Sequence, residues 1–247
     1  MEYFALNYQG EPFDLFGPAH LIALGVVATA LLVLGIWGQR LDDRGRHAIR
    51  IGLAVVLLLN EAGWHLWHLS HNVWTVQTML PLHLCNLLVF GSAAMLVTRS
   101  YTLYEFAYFL GIGAASQALF TPGLGRFGFP HYLFFQAITS HAAIVAAAIY
   151  MTRVEGYRPT WHSLVRVAIW TNVYLVIIFF LNQFLGSNYL FIAYIPPEPT
   201  LIDLLGPWPW YILSMEAIGL VVFLVLYAPF WWHDHQTSRR KSTHREA

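Results

Sequence analysis

Residues 49–69 read IRIGLAVVLLLNEAGWHLWHL. At about 1.5 Å per residue, a helix of this length crosses roughly 30 Å of hydrocarbon. The two halves of the run differ in character. Arg44, Arg46 and Arg50 gather at its start, whereas Glu61, His65 and His68 fall in the second half at i, i+4 and i+7, a single stripe of a helix. An apolar span with arginines at one end and ionisable groups buried in the other sets the pattern for the rest of the chain.

Six further apolar runs of similar length cover residues 19–38, 78–97, 103–120, 132–152, 163–185 and 209–229. With 57% hydrophobic and 11% charged residues, a soluble domain is excluded. The expected fold class is all-α: a polytopic membrane protein of seven transmembrane helices forming one domain over 19–229. The loop 186–208, rich in proline, is expected to be an ordered cap. Residues 1–18 lack the basic start of a secretory signal and are expected to persist as an extracytoplasmic N-terminal segment. Residues 230–247 form a basic tail. Basic loops are retained in the cytoplasm, and of 13 lysines and arginines only Arg126 falls on the other side of a seven-span layout. The N-terminus is therefore expected outside and the C-terminus inside. The formal net charge of zero gives no reason to expect a nucleic-acid partner.

Polar side chains at membrane depth are costly and usually face a partner or a wet cavity. Here they collect in the outer halves of the spans: Glu61, His65 and His68; His83, Cys85 and Asn86; Gln117; Gln136, Ser140 and His141; Asn182; Glu216. A pocket opening outward is expected, with Arg126 held over it by the loop TPGLGRFGFPH. Arg126 has Glu61, Glu198, Asp203 or a lipid phosphate as candidate partners.

Cys85 is the single cysteine, so an intrachain disulfide is excluded. A free cysteine is either a small apolar filler or, beside a histidine and near a helix N-terminus, a nucleophile. His83, two residues away, points to another face of a helix, which leaves His141 as the better base. The stripe Glu61, His65, His68 is either a hydrogen-bond network or part of a zinc shell. No HExxH or HxxxH pairing accompanies it, and neither a metal nor a cofactor is assigned.

LPLHLC, TPGLGRFGFPHYLFFQAITSHA, VEGYRPT, NYLFIAYIP and LIDLLGPWPWYI together resemble the YwaF-like bacterial integral membrane proteins, over about residues 15–230. More distantly the chain resembles the eukaryotic transmembrane acyltransferases of ether phospholipids and the androgen-induced-gene hydrolases. That resemblance implies a lipid acyltransferase or esterase in a bacterial cytoplasmic membrane, with a membrane lipid as substrate, Cys85 as nucleophile and His141 as its histidine. Glu61, His65, His83, Asn86, Gln117, Arg126, Gln136, Ser140 and Glu216 are the candidate supporting or substrate-binding residues. The alternatives are a binding or transport protein without chemistry, and an intramembrane zinc hydrolase. No oligomeric state is legible.

Overall fold

The computed structural model describes residues 2–196 and 201–243. Glu198 and Arg245, with part of the expected outer loop and the end of the expected basic tail, lie outside these residues, as do the side chains of Arg239, Arg240 and Lys241. Among the described residues there are seven helical rods and no strand. They are α1 (Pro18–Trp37), α2 (Asp43–Ser70), α3 (Leu84–Thr98), α4 (101–120), α5 (Tyr132–Arg153), α6 (Trp161–Leu185) and α7 (Trp210–Thr243). Five of them, α1, α2, α5, α6 and α7, are long and apolar enough to cross a membrane.

The two exceptions have local causes. The third apolar run was expected to begin at 78, yet α3 begins only at Leu84, because Pro81 cannot supply a helical N–H and residues 76–83 are held by other bonds. Tyr189 Oη donates to Val76 O (2.7 Å) and accepts from Leu80 N (2.9 Å), and Tyr174 Oη donates to Leu82 O (2.9 Å). Irregular backbone at membrane depth survives where protein satisfies it in this way. The fourth run forms one rod whose middle, Ala107–Ala115, is π-helical. Its wide turn is closely packed: a Cβ added at Gly111 would lie 3.1 Å from the Ile144 methyl of α5, and one at Gly113 would lie 3.1 Å from Val222 of α7. The last helix runs beyond the expected end at 229, through Pro229, and Asp234 binds Arg158 at 2.7 Å.

Helix α5 is the centre of the bundle, with α1, α2, α3 and α4 packed around it. Its AAIVAAAIYM stretch offers small side chains, so neighbouring backbones come close. Ala147, Ala148, Ile144, Tyr150 and Met151 have no exposed surface. Large apolar side chains such as Leu59, Val176, Phe180 and Val225 point outward, as contact with hydrocarbon requires.

The two ends of the bundle are closed differently. At one, residues 2–17 fold back over the helix ends. Trp67 Nε1 donates to Phe4 O (2.9 Å), His131 Nε2 to Ala5 O (3.2 Å) and Phe13 N to Gly125 O (2.9 Å). A Cβ at Gly128 would fall 2.5 Å from Glu11 O, so this segment and the 121–131 loop touch backbone to backbone. His20 fastens the start of α1 to the end of α4 through Leu119 O (2.9 Å). The other end carries the arginines. Glu155, 7% exposed, binds Arg99 (2.7 Å) and Arg50 (3.5 Å), and buried Glu105 binds Arg166 (2.6 Å).

Two outcomes are expected. Glu155→Gln leaves the buried Arg50 without its counter-charge and should cost about 3 to 5 kcal/mol, whereas Arg158→Gln, in an exposed pair, should cost about 1 kcal/mol or less. Unfolding of both variants in detergent checks this. The second concerns His131, fully buried just before α5, whose Nδ1 accepts from Leu133 N and whose Nε2–H donates to Ala5 O. Burial lowers its pKa, so the folded end holds it neutral. Stability from this contact is complete above the unfolded value of about 6.5 and falls as pH drops below it. Proteolysis within residues 2–17 should rise on acidification in the wild type, and this pH dependence should flatten in His131→Gln.

Candidate functional site

The polar residues of α2, α3 and α5 meet at one level of the bundle. Asn60 Nδ2 donates to Gln136 O (3.1 Å), which fixes α2 against α5. One residue on, Glu61 Oε1 accepts from Asn86 Nδ2 (2.9 Å) and faces His65 Nε2 (3.4 Å), which fixes α2 against α3. His65 Nδ1 in turn accepts from Trp74 Nε1 (3.0 Å), so the ring's proton lies on Nε2, toward the carboxylate. The chain Trp74, His65, Glu61, Asn86 is directed throughout at Oε1. Oε2 is buried and has no hydrogen-bond partner among the described residues. Leaving such an oxygen unpaired costs on the order of 1 to 3 kcal/mol or more, so the site is polar beyond what packing needs.

Cys85 lies in the first turn of α3, adjacent to Asn86, and Glu61 acts on it electrostatically. His141 donates Nδ1–H to Ala137 O (2.7 Å), one turn back on α5. That bond selects the tautomer with a lone pair on Nε2, and Nε2 has no hydrogen-bond partner among the described residues. Cys85 and His141 are each partly buried, neither fully enclosed nor fully exposed. No hydrogen bond joins Sγ to the imidazole. His141 shares its stripe of α5 with Thr152, at i and i+11, and Thr152 bonds Tyr104 of α4 at 2.9 Å. The imidazole is thus on the α4 flank of α5.

The remaining candidates separate into two groups. Gln136 and Ser140 are buried in α5, on stripes about 100° or more around the helix from His141. His83 caps α3 and accepts from Leu190 N (3.3 Å), with its ring against Tyr189 and Phe191. It holds the backbone at Leu190 and Phe191, both at positive φ (61° and 56°), which Asn182 also clamps through Tyr189 N and O. Gln117 is exposed and bonds Thr121, and Glu216 is half-buried without a hydrogen bond among the described residues. Arg126 is exposed, with no hydrogen bond or ion pair among the described residues; Glu61 is engaged by Asn86 and His65 instead. His68 donates to Trp64 O (2.9 Å) and packs on Trp64 and Trp67, away from the Glu61–His65 pair. Among the described residues no three His, Cys, Asp or Glu side chains converge as a metal shell.

Sequence reasoning missed Asn60, Trp74 and the Glu155 pairings. Asn60 had a signal, an amide beside Glu61 at the same depth. Trp74 reads as an interfacial anchor, and nothing in its spacing announces the bond to His65.

No solved structure matches the chain. A Treponema pallidum (strain Nichols) protein described as "Uncharacterized protein" is 25% identical over 225 residues, covering 90% of this chain and 92% of the relative. The model of the TMEM164 family matches residues 15–227, from just before α1 into α7, and the chain belongs to the TMEM164 family.

Proposed function

We propose that this membrane protein transfers or hydrolyses an acyl group of a membrane lipid at Cys85. The observation that carries the reading is the bonding capacity that the polar residues of the bundle hold in reserve: Glu61 Oε2 is buried with no hydrogen-bond partner among the described residues and His141 Nε2 is uncommitted, with the single cysteine adjacent to Asn86, the partner of Glu61. The resemblance to YwaF-like proteins, and beyond them to the ether-phospholipid acyltransferases and androgen-induced-gene hydrolases, supplies the chemistry. All seven rods serve as spans of a bacterial cytoplasmic membrane, with α3 and α4 completed by the ordered backbone around them. The N-terminus and the 186–208 loop lie outside and the tail from 230 lies inside. Twelve of the 13 basic residues on one side support that orientation.

In this reading Sγ attacks the ester carbonyl, and the thiol proton passes to His141 Nε2 through a water or hydroxyl, since the two side chains do not touch directly. The carbonyl oxygen re-forms its double bond, the alkoxide leaves with the proton from His141, and Cys85 holds the acyl group as a thioester. An acceptor hydroxyl, or a water whose second hydrogen bonds Glu61 Oε2, gives its proton to His141 as it attacks the thioester; the sulfur leaves as the thiolate and takes that proton back from His141, which restores the thiol. Asn86, fixed on Glu61, keeps the carboxylate oriented. A second reading, recognition of a lipid or solute without chemistry, draws on the missing Sγ to imidazole bond.

Turnover of a diacyl phospholipid and a lysolipid acceptor by purified protein separates the two. Cys85→Ala should abolish turnover, and His141→Gln should lower it roughly 10²- to 10⁴-fold. Glu61→Gln should allow acylation of Cys85 but slow release of the acyl group. Full turnover by Cys85→Ala would sink the acyl-transfer reading.

A further inference from the structure

A lipid-sized feature lies on another flank of α5, and the Cys85 site does not account for it. An apolar groove of about 810 Å³ runs between α1 and α5, floored by Leu53 of α2. Its α1 wall extends from Ala19 to Leu34, roughly 22 Å at 1.5 Å per residue, more than the depth of one leaflet. Its α5 wall includes Ile138, Thr139 and Ala142, about a third of a turn from the stripe that carries His141. Small side chains at Ala23, Ala30, Ala142 and Ala146 hollow it out where larger ones would let α1 close on α5.

The groove's upper end is marked by Phe129, which packs edge to face against Phe134 and Phe135. Phe129 belongs to the 121–131 loop, and three residues before it stands Arg126. That arginine is exposed and has no ion pair or hydrogen bond among the described residues, with Glu11 and Asp14 of the adjoining segment included. It is also the single basic residue at this end of the bundle, the end whose loops otherwise shed positive charge. A guanidinium three residues from the groove's upper end, with no partner among the described residues, complements a phosphodiester with a hydrocarbon tail.

We infer that the α1–α5 groove is a binding site for one glycerophospholipid, with an acyl chain along Ala23 to Leu34 and the phosphate on Arg126. The groove is not lined by Cys85 or His141, and the site does not depend on the acyl-transfer reading. Its occupant completes the lateral packing of α1, which touches the bundle mainly through α5.

Native mass spectrometry of the full chain, delipidated in detergent and titrated with dioleoyl phosphatidylglycerol, tests the inference. Wild type should retain one lipid through gas-phase activation. Arg126→Gln should weaken retention roughly tenfold or more, the loss of a charge-assisted contact. Thr139→Trp, which fills the groove, should do likewise, and both variants should stay monodisperse and helical. Dioleoylglycerol, with the same chains and no phosphate, should bind as weakly as the lipid does to Arg126→Gln, and inorganic phosphate should not compete. Equal retention by wild type and both variants would mean annular contact only and would overturn the site. Competition by inorganic phosphate would reduce it to an anion contact without a chain and overturn it equally.

Discussion

A helix packed against several others within a membrane protein must offer its neighbours small side chains, because in lipid close van der Waals approach replaces the hydrophobic drive that packs soluble cores. Helix α5 meets that constraint, and the rest of the bundle depends on it. The alanines from 142 to 148 let α2, α3 and α4 approach closely enough for Asn60 to reach a backbone carbonyl of α5 and for Gly111 to seat against Ile144. The polar level of the bundle exists because these helices are brought together at that depth. A bulkier α5 would separate the α2–α3 joint from His141 and leave Asn60 without its acceptor.

The Glu61 joint is economical in a different way. One carboxylate oxygen takes both available donors, Asn86 and His65, and the other takes none. A purely structural network in so apolar a setting would satisfy both oxygens, since unsatisfied buried polar atoms are expensive. His141 repeats the arrangement, with one ring nitrogen spent on its own helix and the other free. Groups held rigidly by half of their bonding capacity, with the other half uncommitted, are preorganised for a guest.

Much of this was legible in the sequence because both the span length and the depth of a polar residue follow from helix geometry. The ends of α1, α5 and α6 fall within two residues of the expected boundaries, and Glu61, His65, Asn86 and Cys85 were placed together by depth alone. What failed was rotation and irregularity. Depth along an axis does not say which neighbour a side chain faces, so Gln117 was grouped with residues it does not meet, and the flank of α5 that carries His141 was not legible. The late start of α3 depends on Tyr174 and Tyr189, about a hundred residues away. The π-helical stretch of α4 carries no proline or other local signal, and its two glycines acquire meaning only through Ile144 and Val222.

Arg50 and Arg99 act at two moments in the life of the chain. In the proposed orientation they are, while the nascent helices are being threaded, free cations that hold their loops back from translocation. Once α5 has docked, Glu155 claims both, and they become internal counter-ions 3.5 and 2.7 Å from one carboxylate. Topogenesis and assembly therefore read the same side chains by different criteria: the first needs only positive charge, and the second needs guanidinium geometry. Exchange for lysine preserves the first and spoils the second, so a chain so altered would insert correctly and then fail at the step where its helices come together.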